Sequence, residues 1–224
     1  MKPRKPLLAM ALILSTSIMG LGDSNMEQNR RLRLQTLRAS PNTDVHLTLL
    51  ERAYLDTAEI LDKHDGCSQF YLGPDSRRIL DKLVIRLRER SANDPRTGFR
   101  MAGFFDTYTA ESGLRYRIFE VAELNTAGAF YKAKIFPAEP FVPDVGSFRP
   151  NTREARVLIL LHELAHLIKG KDGTWLIPDD GGNAPLSRQN TVTVESRCGT
   201  EIRALQKGLK EGLIDPQLKR LLFR

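Results

Sequence analysis

Residues 151–170 read NTREARVLILLHELAHLIKG, and this segment fixes the kind of domain the chain can build. Apart from Arg156, the run from Ala155 to Leu161 is apolar all round, and Leu167 and Ile168 continue it. That pattern predicts a helix enclosed by the domain rather than lying on its surface. Asn151 and Glu154 have the spacing of a capping box, and Gly170 stands where a glycine ends a helix. Inside the run, His162 and His166 are four residues apart, so both imidazoles project from one face, a turn apart. Two histidines and a glutamate in so apolar a helix are costly without partners. A divalent cation removes that cost.

The same residues carry a chemistry. Glu163 projects toward the edge of the histidine face, where it can take a proton from a water activated by the metal. The expected cofactor is Zn²⁺. The competing structural reading is a pair of hydrogen-bonded core histidines. A catalytic zinc takes three protein ligands and keeps one position open. No histidine follows His166, so the third ligand is expected to be a carboxylate. The candidates, in order, are Asp180 and Asp179 in Ile177-Pro178-Asp179-Asp180-Gly181-Gly182, then Glu195 in the following helix. Pro-Asp-Asp-Gly-Gly is also good turn chemistry, and Glu195 also suits a solvated helix position.

The motif His162-Glu163-Leu164-Ala165-His166 resembles that of the zincin superfamily of zinc metallopeptidases. Within it, the layout is closer to the aspzincin or deuterolysin-like group, which takes an aspartate ligand from a loop shortly after the motif. The order Gly173-Thr174…Asp179-Asp180 is similar to that group's glycine-threonine-aspartate loop, and Asn190 at the next helix is similar as well. The tyrosine that follows the aspartate in that group has no counterpart, since no tyrosine occurs after Tyr131. Glutamate-ligand zincins carry an acidic residue four positions after the ligand, where Glu195 is followed by Gly199. The resemblance covers residues 151–198 and implies a zincin-like fold with peptide-bond hydrolysis.

The rest of the chain bounds this picture. A length of 224 residues suits one domain, and 41% apolar with 27% charged residues describes a globular chain. Lys2, Arg4 and Lys5 precede the apolar run Leu7 to Leu14, and Gly20 and Gly22 precede Asp23. This is the layout of a secretory signal peptide at 1–22, with a core short for a membrane span. An uncleaved anchor is the alternative; after cleavage no stable membrane insertion is expected. A secreted or periplasmic location follows.

The net charge of +7 includes three charges from that segment, and Arg30, Arg31, Arg33 and Arg38 cluster after it. No aromatics interleave with these arginines, so residues 23–43 are expected to be a basic, flexible lead-in and not a nucleic-acid site. Cys67 and Cys198 are the two cysteines, and in an exported chain such a pair predicts one disulfide.

The expected organisation is α+β, with a single domain at 44–224. Helices are predicted over 45–63 and from Pro74-Asp75 to about Arg90. Branched and aromatic runs at 103–109 and 114–124, with 128–136 as a third strand, predict a small, mainly antiparallel sheet. The motif helix follows, then a helix over 190–205 and a short one near Pro216. The expected function is a secreted zinc metalloendopeptidase acting on protein or peptide substrates. Its rival is a non-catalytic secreted binding or structural protein that keeps a zinc-stabilised fold. An extended substrate is expected along the strand that ends in Leu124-Asn125-Thr126, and Tyr108, Tyr116, Tyr131 and Arg197 are candidates for stabilising an oxyanion.

Overall fold

The computed structural model describes residues 20–39, 47–133 except 93 and 97, and 141–212. Most of the expected signal segment, the last part of the expected third strand and the helix near Pro216 lie outside these residues. Two compact units divide the chain, Met1–Pro41 and Asn42–Arg224. In the first, the basic segment expected as a flexible lead-in contains a helix, α1 (Gly20–Ala39). Its leucines, arginines and glutamines are good helix formers, and no proline interrupts them. Among the described residues no helix is long and apolar enough to cross a membrane.

The second unit is α+β, as the sequence predicts. Helix α2 (Leu49–Asp62) opens with a true capping box, in which the Glu51 amide donates to Thr48 Oγ1 at 3.1 Å and the Thr48 amide to Glu51 Oε2 at 2.8 Å. It begins four residues later than the periodicity suggested. Asp65 caps a short helix, α3 (Gly66–Phe70), where only a helix end was expected. Helix α4 (Ser76–Arg86) stops before Arg90, because Leu87–Arg90 is a strand, β1. Strands β2 (Phe99–Thr109) and β3 (Arg115–Asn125) form the expected hairpin. The motif helix is α5 (Arg153–Ala165), and α6 (Ala184–Gly212) starts six residues before Asn190.

The sheet has three strands in the order β1-β3-β2. It is mixed but mainly antiparallel: β2 pairs antiparallel to β3 along the longer ladder, and β1 pairs parallel to the end of β3. Residues 126–131 form turns instead of a third hairpin strand. Strand β3 is therefore central, with Leu124 opposite Glu89 on one side and Phe99 on the other. It has no open edge there for a substrate, so that sequence expectation is corrected.

Helix α5 sits in the middle of the helical layer and packs on α2, α4 and α6. Val157, Leu158, Leu160, Leu161 and Leu164 are fully enclosed, the burial that the apolar run required. Its cap is Thr152, whose hydroxyl accepts from the Ala155 amide at 3.2 Å, not Asn151. Asn151 instead turns the chain with φ 61°, a left-handed conformation that asparagine tolerates. Arg153 on α5 forms a two-pronged ion pair with buried Asp56 on α2, both contacts at 2.6 Å, and donates to Leu205 O on α6. Cys67 and Cys198 are joined in a disulfide between α3 and α6. Closing a loop of 131 residues removes denatured-state entropy worth about 5 kcal/mol.

Candidate metal centre

Helix α5 ends earlier than Gly170, at Ala165, with His166 as its C-cap. The chain then changes partner. The Arg117 amide donates to Leu167 O at 2.9 Å, and the Lys169 amide donates to Arg115 O at 2.9 Å. Residues 167–169 thus run beside the start of β3, which ties the end of the motif helix to the sheet. A tight return follows: Gly170 N donates to Thr174 O, Leu176 N donates to Ile168 O, and Gly173 takes φ 84° at the bend. The returning arm carries Ile177 into the core and brings Asp179 and Asp180 back to the end of α5. Buried Asn190 on α6 fixes this arm from the other side, donating to Pro178 O at 2.8 Å.

The result is a cluster of His162, His166 and Asp180, the one group of three or more such side chains among the described residues that can hold a metal ion. The two Nε2 atoms are 3.1 Å apart, and Asp180 Oδ2 lies 3.6 Å from His162 Nε2 and 3.8 Å from His166 Nε2. Tetrahedral bonds of about 2.0–2.1 Å would separate donor atoms by about 3.3 Å. The triangle therefore has the right size.

Proton placement points the same way. Thr191 Oγ1 donates its only hydrogen to Ser187 O at 2.9 Å, yet lies 3.1 Å from His162 Nδ1. If the ring donates to it, His162 carries its proton on Nδ1 and presents a bare Nε2 to the cluster. His166 Nδ1 is buried without a hydrogen-bond partner among the described residues, 3.9 Å from Asp179 Oδ1. A proton there would face a carboxylate and would leave the second Nε2 bare as well. Two imidazole Nε2 atoms and the Asp180 carboxylate thus converge, and a cation can take the place of a proton shared among them.

The electrostatics agree. Burial pulls the His166 pKa down to about 4, and the neighbouring His162 pulls in the same direction, so His166 is neutral at ordinary pH. Asp180 is held at about 2, chiefly by its hydrogen bond with His162. It is a carboxylate whenever the histidines are free to bind. Burial raises Glu163 to about 7, opposed by His162 and reinforced by the Asp180 charge.

The other ligand candidates have different partners. Asp179 is held by both terminal nitrogens of Arg117, one contact being Nη1 to Oδ2 at 2.9 Å. Glu195 lies away from the cluster, where it accepts from the Ser147 amide at 2.9 Å and from Ser147 Oγ, and pairs with Arg203. Gly146, at φ 60°, leaves room for that carboxylate; a Cβ there would collide with it. Among the expected oxyanion groups, Tyr131 hydrogen-bonds Glu89, Tyr108 and Tyr116 pair with each other, and Arg197 lies over Phe70. These partners lie outside the cluster.

Two residues at the site carried no signal in the sequence. Thr191 lies on α6, 29 positions from His162, and only the packing of α5 on α6 joins them. Arg117 is an arginine in an alternating strand, with nothing in its neighbours to separate it from Arg115. Its burial at 6% exposure was the missing information. No family model matches the chain, and the searches of curated proteins and of solved structures found no match either.

Proposed function

We propose that the chain is a zinc-dependent peptidase of the zincin type, with Zn²⁺ held by His162, His166 and Asp180. The observation that carries this reading is the convergence of His162, His166 and Asp180 beside Glu163, whose pKa burial raises to about 7. Two imidazoles and one carboxylate in a tetrahedral-sized set suit zinc better than calcium or magnesium, which prefer more oxygen ligands. Bound there, the ion supplies Lewis acidity to a scissile carbonyl and to a water.

The chain's own residues do the rest. Glu163 accepts the proton of the attacking water and returns it to the leaving amine. A pKa near 7 suits it to both transfers. Asp180 keeps its negative charge throughout. Thr191 holds the His162 ring in the ligating tautomer. With β3 enclosed, an extended peptide has main-chain partners along the outer edge of β2. Exposed Phe104, Phe105 and Tyr108 lie on that strand, and Phe104 stacks on Arg117 beside the site. The disulfide fits an oxidising compartment and supports export.

The decisive experiment measures hydrolysis of an unselective protein substrate with and without chelator, beside Glu163→Gln. Glu163→Gln should retain metal and lose turnover. Undiminished turnover in that variant overturns the reading. A second reading is a non-catalytic protein whose fold the metal stabilises, favoured by the partners of Tyr108, Tyr116 and Arg197 lying outside the cluster. That reading predicts no hydrolysis under any condition and unfolding on chelation.

A further inference from the structure

We propose that Arg117 and Asp179 form a clamp that sets the two metal-ligand segments against each other, as positioning residues for the centre. The proposal rests on the metal reading above and adds residues that touch neither ion nor substrate. Arg117 is buried, and its guanidinium lies 3.8 Å from the centre of the Phe104 ring and 4.3 Å from that of Trp175. Two rings this close restrict how the guanidinium can turn. Its edge then works in two directions. Nε donates to His166 O at 2.9 Å, at the end of α5. Nη1 and Nη2 grip the two oxygens of Asp179, the residue before Asp180. A single planar fork thus connects the backbone that carries one ligand with the loop that carries another.

Asp179 gives the clamp a second function. Its Oδ1, already gripped by Arg117, is the carboxylate oxygen 3.9 Å from the unpartnered His166 Nδ1. An Nδ1–H directed at it keeps Nε2 bare toward the cluster, as Thr191 does for His162. Partners of this kind typically change metal affinity by about 10- to 100-fold. A lysine in place of Arg117 could not serve, since one ammonium cannot span both Asp179 oxygens and the His166 carbonyl. Trp175 is the chain's one tryptophan and stacks on the guanidinium, so its emission reports on the clamp.

The test titrates Zn²⁺ into the metal-free full chain, against a chromophoric chelator and by tryptophan fluorescence. The wild type is compared with Asp179→Asn, Arg117→Ala, Arg117→Lys and His162→Ala. Asp179 is half exposed, so Asp179→Asn should fold as the wild type does even if the Arg117 variants do not. The expected result is Zn²⁺ binding about 10- to 100-fold weaker in Asp179→Asn, in protein less stable without metal but still folded at the titration temperature. Arg117→Lys should not rescue the loss seen in Arg117→Ala. In the wild type, the fluorescence change should share its midpoint with chelator competition. The Co²⁺-loaded visible spectrum should differ between wild type and Asp179→Asn. Wild-type affinity and an unaltered Co²⁺ spectrum in Asp179→Asn would overturn the clamp and leave the metal centre standing. Equal failure of wild type and His162→Ala to bind Zn²⁺ would remove the metal centre and the clamp with it.

Discussion

The Thr191 hydroxyl lies 3.1 Å from His162 Nδ1 and 2.9 Å from Ser187 O, an arrangement that suits the imidazole as donor. Thr191→Val keeps the shape and removes the acceptor, so the buried Nδ1–H loses its partner. Zn²⁺ affinity should fall by about tenfold or more, read by chelator competition. Thr191→Ser should retain most of the wild-type affinity.

Neighbouring aspartates have separate partners here, Asp180 with the imidazoles and Asp179 with Arg117. Asp180→Ala should lose stoichiometric metal after purification, measured by elemental analysis. Glu195→Ala should keep it, because that carboxylate braces Ser147 instead. Full metal content in Asp180→Ala would return the choice of third ligand to the alternatives.

Glu163 carries a cost that varies with pH. Its folded pKa of about 7 lies above the ordinary 4.5, so the fold favours the protonated form. Stability from this group is fully present below pH 4.5 and is lost as pH rises through 7, by about 3 kcal/mol at most. Glu163→Gln cannot ionise. In metal-free protein it should therefore melt higher than the wild type at pH 8 and close to it at pH 4. His166 has the opposite slope: its lowered pKa keeps stability above pH 6.5 that is lost as pH falls toward 4. An equal melting difference at both pH values would show that Glu163 is not desolvated as described.

Arg153 and Asp56 join α5 to α2 through two short contacts in a region of low exposure. Arg153→Met would leave the Asp56 carboxylate buried without its cation, at a cost of about 3–5 kcal/mol in chemical denaturation. Arg153→Met combined with Asp56→Leu should recover much of that loss. A single variant as stable as the wild type would show that the pair contributes little.

The sequence made the α+β class, the buried motif helix, the β2–β3 hairpin and the disulfide legible, and it named the three residues that cluster at the site. Each rests on local periodicity, a fixed spacing or a small set of chemically competent residues. Strand β1 was not legible: Leu87–Arg90 continues directly from α4, and its pairing partner Ala122–Asn125 is more than thirty residues away. The central position of β3 depends on that same distant pairing. The helix cap moved one residue, from Asn151 to Thr152, since both side chains can cap and only backbone conformation separates them. At the site, the candidate ligands were chosen by residue type, whereas Thr191 and Arg117 owe their places to which helix and strand lie alongside.

The bridge from Cys67 to Cys198 encloses the whole metal loop. A backbone severed at any point between those two cysteines, including the turn around Gly173, would leave both pieces covalently attached. Such damage would run as an intact chain in a non-reducing gel and separate only once thiol is added.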